Sequence, residues 1–292
     1  MIRAYSKIKG SAAAVERLTI YISADGGGSV AGQTLLIRDP NNLQVFYEGL
    51  AAAEIRVKIP LRTLYEISIS AMDGYNAINP IFLTATEKSR IVYLNYERIP
   101  PIIGDFVYTD GSWSSNYQAD KTCVGICYYV NGEDRRMLAL TQPKTGSGNS
   151  CVWGPKAPEG VFISSDQNIA ITDMDGRKNT DVILAIMQTE NPVYNNAKDY
   201  PAANFCNNYS CDNKEKKSWW LPACGELNQI WENYEIIDQN IQVAGGERLS
   251  TSKNFWSSTG YDNIVNLWGI KLKSLGFFSQ RTMNSVLPVT NF

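Results

Sequence analysis

Apolar and polar side chains alternate with a period of two between Arg17 and about Tyr96. Such alternation is typical of strands that bury one side and expose the other. Turn-forming sequences such as Asp25-Gly-Gly-Gly-Ser29 and Asp73-Gly74 separate the alternating segments. The region is therefore predicted to fold as about seven short strands packed in a small β-sandwich. The apolar positions expected in its core are Leu18, Ile20, Ile22, Ile55, Val57, Ile59, Tyr65, Ile67 and Ile69.

Two consecutive prolines, Pro100 and Pro101, follow the alternating region. They stiffen the chain and stop strand pairing on both sides, which marks a domain boundary. A chain of 292 residues is also long enough for two domains of about 150 residues. We predict an N-terminal segment at 1–16, an all-β immunoglobulin-like sandwich at 17–99 and a second domain at 100–292.

The second domain mixes strands and helices. Strands are predicted over Cys123 to Val130 and again within Phe255 to Phe292. An amphipathic helix is predicted after Pro222, and another is expected to have its N-cap at Asn179-Thr180-Asp181. The fold class is therefore α+β. Positions expected to face the core are Leu227, Ile230, Trp231 and Tyr234 in the first of these helices, and Val182, Ile183, Ile186 and Met187 in the other.

The chain contains no histidine. Its absence excludes Ser-His-Asp and Cys-His nucleophile pairs, His-containing zinc sites and imidazole general bases. The 16 Tyr and 7 Trp supply large, stiff contact area, which suits either a β-rich core or a binding surface. We therefore expect a protein that is not an enzyme and needs no cofactor, although carboxylate chemistry stays open.

Charge and hydropathy restrict the partners. The chain has 27 Lys and Arg against 29 Asp and Glu, with no basic block, so nucleic acid is not an expected partner. No run of about 18 apolar residues predicts a membrane span. Met1 to Gly10 lacks the apolar stretch and cleavage site of a signal peptide. Two alternatives follow: a protein used without its own export signal, as in a virion, or one whose signal was removed.

Cysteines and acidic residues leave few options for a disulfide or metal site. For the C-x4-C pair Cys206 and Cys211, a disulfide, a metal site and two thiols stay open. Cys123 and Cys127 are expected on one face of a strand, about 13 Å apart and too far for a disulfide. The spacing from Asp173 to Asn179 is similar to part of a calcium loop but lacks its final Glu. We expect a turn and helix cap there, and no metal.

Three motifs of the second domain occur in a characteristic order. They are Trp219-Trp-Leu-Pro-Ala-Cys-Gly-Glu-Leu227, Phe255-Trp-Ser-Ser-Thr259 and Val286-Leu-Pro-Val289, preceded by the aromatic segment Gly104 to Trp113 and by Val124-Gly-Ile126. Together they resemble the C-type-lectin-fold domains of gut Bacteroidales surface proteins and of their phages. In that family Leu-Pro-x-x-x-Glu-Leu opens a helix and Trp-Ser-Ser-Thr precedes the ligand-facing strands. The resemblance implies a C-type-lectin-like domain over 104–292, and the N-terminal region is similar to the immunoglobulin-like modules that precede such domains.

The sequence departs from this family at three points. It lacks the Glu-Pro-Asn, Gln-Pro-Asp and Trp-Asn-Asp triplets of calcium-dependent sugar lectins. Its last cysteine is Cys224, so the C-terminal cysteine pair of formylglycine-generating enzymes is missing. The usual closing Val-Arg-Pro-Val appears as Val286-Leu-Pro-Val289, without the arginine. These differences argue against calcium-mediated sugar binding and against an oxidase.

In one branch of the family, a diversity-generating retroelement varies the exposed residues near the C-terminus. By this resemblance, the loop after Thr259 and the strands that follow it form one ligand-binding face. Aromatic, amide and cationic groups on a rigid sheet suit protein or glycan recognition, while an ordinary solvated face is the alternative. Trp268, Ile270 and Leu272 are expected to point inward. The candidate ligand-binding residues are Tyr261, Asp262, Asn263, Asn266, Lys271, Lys273, Phe278, Gln280, Arg281 and Asn284.

The resemblance implies a non-catalytic receptor-binding protein of a phage virion, a tail protein for host attachment. It would recognise a bacterial surface protein or glycan, and its N-terminal domain would bind other virion or surface-assembly proteins. A homotrimer is implied because tail and fibre proteins are commonly trimers. The alternatives are a cell-surface or fimbrial-tip adhesin of Bacteroides type and an enzyme built on the formylglycine-generating fold.

Overall fold

The computed structural model describes residues 15–86, 90–143, 150–187, 199–211, 218–262, 266–271 and 274–292. The chain divides into two compact units, Met1–Pro100 and Pro101–Phe292. Strands predominate and the helices are few, so the chain is a β-rich α+β protein. Within the described ranges, no helix has the length and apolar character needed to span a membrane.

The first unit is built from two β-sheets. One sheet has the order β4-β1-β7 and the other the order β3-β2-β5-β6. Strand β1 pairs antiparallel with β4 and parallel with β7. The strands are β1 (Val15–Ala24), β2 (Thr34–Arg38), β3 (Val45–Leu50), β4 (Glu54–Pro60), β5 (Leu64–Ile69), β6 (Ile81–Thr84) and β7 (Arg90–Tyr96).

Side chains from both sheets of the first unit share one hydrophobic core. All nine apolar positions that the alternation assigns to this core are buried, with at most 9% exposure at Ile69. The predicted sandwich core is confirmed, whereas the immunoglobulin topology stays a prediction. Of the predicted N-terminal segment, residues 1–14 lie outside the described ranges.

The second unit contains two five-stranded sheets. In sequence order, its helices lie between β12 and β13. The strand orders of the two sheets are β17-β11-β10-β8-β9 and β12-β16-β13-β14-β15. The strands are β8 (Phe106–Tyr108), β9 (Trp113–Ser114), β10 (Cys123–Asn131), β11 (Asp134–Ala139), β12 (Ser150–Cys151), β13 (Phe255–Gly260), β14 (Asn266–Lys271), β15 (Ser274–Ser279), β16 (Asn284–Ser285) and β17 (Val289–Asn291). The helices are α1 (Gln167–Ala170), α2 (Gly176–Met187), α3 (Pro201–Asn207), α4 (Cys224–Glu232) and α5 (Tyr234–Val243).

The helix predicted after Pro222 is α4, and its three core positions Leu227, Ile230 and Trp231 are fully buried. The predicted C-terminal end of this helix is wrong. Asn233 has φ −107° and ψ 21°, which interrupts the helix, so Tyr234 begins α5 instead of completing α4.

Helix α2 begins at Gly176, earlier than the predicted cap at Asn179-Thr180-Asp181. The carboxylate of Asp175 caps it by accepting the backbone N–H of Lys178 at 3.2 Å. Asn179 and Thr180 are instead buried inside the helix. The turn and cap expected near Asp173 are therefore present, but the capping residue is Asp175. Of the four predicted core positions, Ile183 is fully buried and Val182, Ile186 and Met187 are half-buried.

The cysteine pairs differ from expectation in one respect. Cys123 packs against the cluster that holds Tyr108 and Ile126, whereas Cys127 belongs to a separate cluster. They do not share a face, because a register shift between Cys123 and Gly125 interrupts the alternation of β10. Cys206 is a buried thiol, and the thiol of Cys211 donates to the carbonyl of Val124 at 3.8 Å. Of the three alternatives for this pair, the structure shows two thiols.

Candidate ligand-binding surface

The Trp-Ser-Ser-Thr motif lies inside the second unit. Ser257, Ser258 and Thr259 are each 0% exposed. The Thr259 hydroxyl donates to the Asp173 carboxylate at 2.7 Å and accepts the backbone N–H of Cys224 at 2.9 Å. The motif therefore fixes β13 against the segment before α2 and the first residue of α4. Its polar groups hold the fold together and are not available to a ligand.

Glu226 of the Leu-Pro-x-x-x-Glu-Leu motif is also 0% exposed and is the centre of a buried network. Burial raises its pKa, while the Arg136 guanidinium and the donated hydrogen bonds oppose that rise. The motif thus anchors the start of α4 to the first sheet of the unit. Oε1 accepts hydrogen bonds from Tyr128 (2.9 Å), Arg136 (2.7 Å) and Trp220 (3.1 Å), and Oε2 accepts the backbone N–H groups of Gly176 (3.2 Å) and Ala223 (2.8 Å).

Three aromatic rings meet where β13, β14 and β15 lie side by side. Tyr261, just after β13, stacks on Phe277 of β15 with ring centroids 4.4 Å apart. Tyr261 also contacts Trp268 of β14 edge-on, with centroids 5.2 Å apart. Trp268 is 4% exposed and its indole N–H donates to the carbonyl of Ser164 at 2.7 Å. Phe277 is 56% exposed. We call Tyr261, Trp268 and Phe277 the aromatic face.

This arrangement follows from the register of the two strands. Trp268 and Phe277 are direct partners in the antiparallel β14–β15 ladder, so their side chains lie on the same side of the sheet. The buried Trp268 fixes the base of the cluster, and Tyr261 covers one side of the exposed Phe277 ring. The rings are therefore held in place before any ligand arrives.

Two polar candidates, Asp262 and Asn266, lie beside the aromatic face and are hydrogen-bonded to each other. The Asn266 amide donates to the Asp262 carboxylate at 2.7 Å, and the backbone N–H of Asn266 donates to the other carboxylate oxygen at 3.1 Å. Both residues are half-buried. Their hydrogen bonds join Asp262, next to Tyr261, to the first residue of β14, so these two residues have a positioning role.

The expectation of one continuous ligand-binding face is wrong. Lys271 is exposed, but the alternation of β14 places it on the side opposite Trp268. Phe278, next to Phe277, also points to that opposite side, where its half-buried ring packs edge-on against Trp256. Asn266, two residues before Trp268 in β14, lies on the Trp268 side, so the candidates of β14 and β15 divide between the two sides of the sheet.

Two further candidates are not exposed. Gln280 is 9% exposed, and Asn284, which pairs with Cys151 in the β12–β16 ladder, is 2% exposed. Arg281 lies between them in sequence and is exposed. The expected inward positions Trp268 and Ile270 are buried as predicted. The candidates Asn263 and Lys273, and the expected inward Leu272, lie outside the described residues.

Phe277 is the one member of the aromatic face that the sequence pattern does not single out at all. The adjacent Phe277 and Phe278 necessarily point to opposite sides of their strand. Which of them faces solvent depends on the register with β14, and a shift of one residue would exchange the two. The sequence signals an exposed phenylalanine here but does not say which one it is.

No protein-family model matches the sequence. No curated protein matches it either. Among solved structures, a fimbrial protein from Bacteroides ovatus is similar over 95% of this chain and 71% of its own, with a TM-score of 0.48 and 13% identity. A minor pilin of Streptococcus agalactiae is similar over 31% of this chain and 47% of its own, with a TM-score of 0.25 and 15% identity. The lectin fold, phage origin, diversified C-terminal segment and homotrimer stay predictions.

Proposed function

We propose that this chain is a non-catalytic adhesin of the bacterial cell surface whose second unit binds a surface protein or glycan through the aromatic face. The observation that carries the proposal is the stacked pair of Tyr261 and Phe277 on the buried Trp268. An aromatic side chain as exposed as Phe277 gains contact area when a ligand covers it. Because the rings are fixed beforehand, little conformational entropy is lost on binding.

The proposal includes a C-type-lectin-like fold for the second unit. The places of two sequence motifs in the structure support this fold. Leu221 and Pro222 come just before α4, and the motif that ends at Thr259 lies in β13, before the strands that carry the aromatic face. The polar side chains of both motifs are buried in structural hydrogen bonds, which supports a role in folding for them and binding by neighbouring residues.

An array of bacterial and host glycans and surface proteins, probed with the labelled full chain, tests the proposal. The variants are Tyr261→Ala and Phe277→Ala, and the control is Phe82→Ala, which removes an aromatic ring of similar exposure (59%) from the first unit. We expect both test variants to weaken binding at least tenfold, which corresponds to about 1.4 kcal/mol. The control is expected to bind as the unmodified chain does. Binding that survives Phe277→Ala but is lost in Phe82→Ala would place the site in the first unit and refute the proposal.

A further inference from the structure

The outer side of the β4-β1-β7 sheet in the first unit combines exposed aromatic, aliphatic and cationic side chains. Tyr21 and Tyr93 are direct partners in the parallel β1–β7 ladder, and their rings stack with centroids 5.5 Å apart. Tyr93 is 71% exposed, and Ile91, two residues earlier on the same side of the sheet, is 56% exposed. Arg17 and Lys58 lie on this side as well, because their strand neighbours face the core. We call Arg17, Tyr21, Lys58, Ile91 and Tyr93 the basic face.

Two cations of the basic face lie opposite each other. Arg17 and Lys58 are direct partners in the antiparallel β1–β4 ladder, and both are exposed. Like charges at directly opposite positions of a sheet repel each other. Arg56 is ion-paired with Glu54 at 2.5 Å, whereas within the described ranges neither Arg17 nor Lys58 forms an ion pair. A carboxylate brought to this pair of cations would relieve their repulsion.

Helix α5 of the second unit carries a carboxylate beside exposed apolar side chains. The exposed residues on one side of this helix are Glu235, Ile236, Gln239, Gln242 and Val243. Ile236 is 41% exposed and Val243 is 50% exposed. The helix itself contains no Lys or Arg, and the nearby Arg248 is neutralised by Asp238 at 3.0 Å. We call Glu235, Ile236 and Val243 the α5 face.

The two faces match in length and in the order of their groups. Four residues of strand separate Arg17 from Tyr21, which corresponds to about 13 Å. Eight residues of helix separate Glu235 from Val243, which corresponds to about 12 Å. When Glu235 lies above the two cations, Val243 can therefore lie above the stacked tyrosines. A carboxylate has two acceptor oxygens, so Glu235 can bind both cations at once.

The net charges of the two units favour the same contact. Residues 1–100 contain 11 Lys and Arg against 9 Asp and Glu, whereas residues 101–292 contain 16 Lys and Arg against 20 Asp and Glu. The first unit of one molecule is therefore attracted to the second unit of another, which increases the rate of their encounter.

We propose that copies of this chain associate head to tail, with the basic face of one copy docked on the α5 face of the next. Every copy in such a pair leaves one face open, so repeated contacts build either a closed ring or an open chain. Exposed ion pairs are weak and screened by salt, so the association depends on concentration and ionic strength. This interface is separate from the aromatic face and does not depend on the function proposed for it.

Sedimentation equilibrium of the full chain, at a series of concentrations in 50 and 500 mM NaCl, tests the proposal. The test variants are Lys58→Glu and Glu235→Lys, each alone, mixed in equal amounts, and combined in one chain. The matched controls are Lys178→Glu and Glu159→Lys, which make the same charge changes at exposed positions outside both faces. Circular dichroism verifies that each variant is folded.

We expect an average mass above the 32.5 kDa of one chain, which rises with concentration and falls in 500 mM NaCl. Each single test variant is expected to weaken the association at least tenfold, because a repulsive contact replaces an attractive one. The mixture and the combined variant are expected to recover association, since opposite charges then face each other again. The two controls are expected to associate as the unmodified chain does.

Three results would each overturn the proposal. The first is a mass of one chain at every concentration in 50 mM NaCl. The second is a control variant that weakens association as much as the test variants do, because the effect would then come from net charge alone. The third is the absence of recovery in both the mixture and the combined variant, because the two altered residues would then not face each other.

Discussion

Replacing Glu226 with Gln tests whether the buried network organises the second unit. The variant keeps the shape of the side chain but turns one oxygen into an NH2 group, which cannot accept a hydrogen bond. If the remaining oxygen stays with Tyr128 and Arg136, the new NH2 group faces the backbone N–H groups of Gly176 and Ala223. Two buried donors then lose their acceptor.

The expected loss follows from these contacts. Each buried donor without a partner costs about 1 to 3 kcal/mol. Arg136, whose side chain is 15% exposed, also loses the charge of Glu226 but keeps its bond to Asp134. Breaking a buried ion pair by changing one partner typically costs about 3 to 5 kcal/mol. We therefore expect Glu226→Gln to lower the free energy of unfolding of the second unit by about 3 to 5 kcal/mol.

Urea unfolding followed by tryptophan fluorescence measures this loss. All 7 Trp lie after Pro101, so the signal reports on the second unit alone. The control is Glu232→Gln, because Glu232 is exposed at the end of the same helix, and a change within about 0.5 kcal/mol is expected for it. A loss below about 1 kcal/mol for Glu226→Gln would refute the argument that this network organises the unit.

Three further predictions concern other parts of the second unit. Burial alone would raise the pKa of Asp110, but hydrogen bonds from Ser112 and the Lys121 ammonium lower it from 3.8 to about 2. The stability from this group is therefore present above pH 4 and lost as the pH falls through about 2. In urea unfolding at a series of pH values, Asp110→Asn should remove that pH dependence of the free energy of unfolding, a change of less than about 1 kcal/mol because the carboxylate is half exposed. Burial raises the pKa of the Cys224 thiol to about 12, so mass spectrometry after iodoacetamide treatment at pH 8 should show Cys123 modified well before Cys224, and equal rates would contradict the burial. A Cβ at Gly225 would lie 2.6 Å from two backbone oxygens, so Gly225→Ala should cost about 1 to 3 kcal/mol in the same urea assay, whereas an unchanged midpoint would show that the backbone yields.

The first unit could be predicted from sequence because its strands are buried on one side. Leu18 and Ile20 are buried while Arg17 and Tyr21 on either side of them are exposed, so these core positions are visible in the pattern. In β14 both sides are covered: Leu267 is 1% exposed and Trp268 is 4% exposed. Alternation therefore does not identify its outer side, and the single predicted binding face was wrong for that reason.

Other differences between the predicted and the observed structure come from contacts between residues that are far apart in the sequence. Asp175 and Asn179 are both suitable helix caps, and the sequence offers no means of choosing between them. The choice is set by Asp173, whose carboxylate accepts from both Asn179 and Thr259 and so holds Asn179 inside the helix. The aromatic face likewise depends on the β14–β15 register, which no local pattern fixes.

Hydrogen–deuterium exchange of the full chain, with and without the strongest partner found on the array, shows directly whether the aromatic face binds the ligand. We expect slower exchange on binding in the peptides that contain Tyr261 and Phe277. Exchange in peptides from the first unit, such as those of β1 and β4, is predicted to stay unchanged. Protection confined to the first unit, with none at Tyr261 and Phe277, would contradict the claim that the aromatic face binds the ligand.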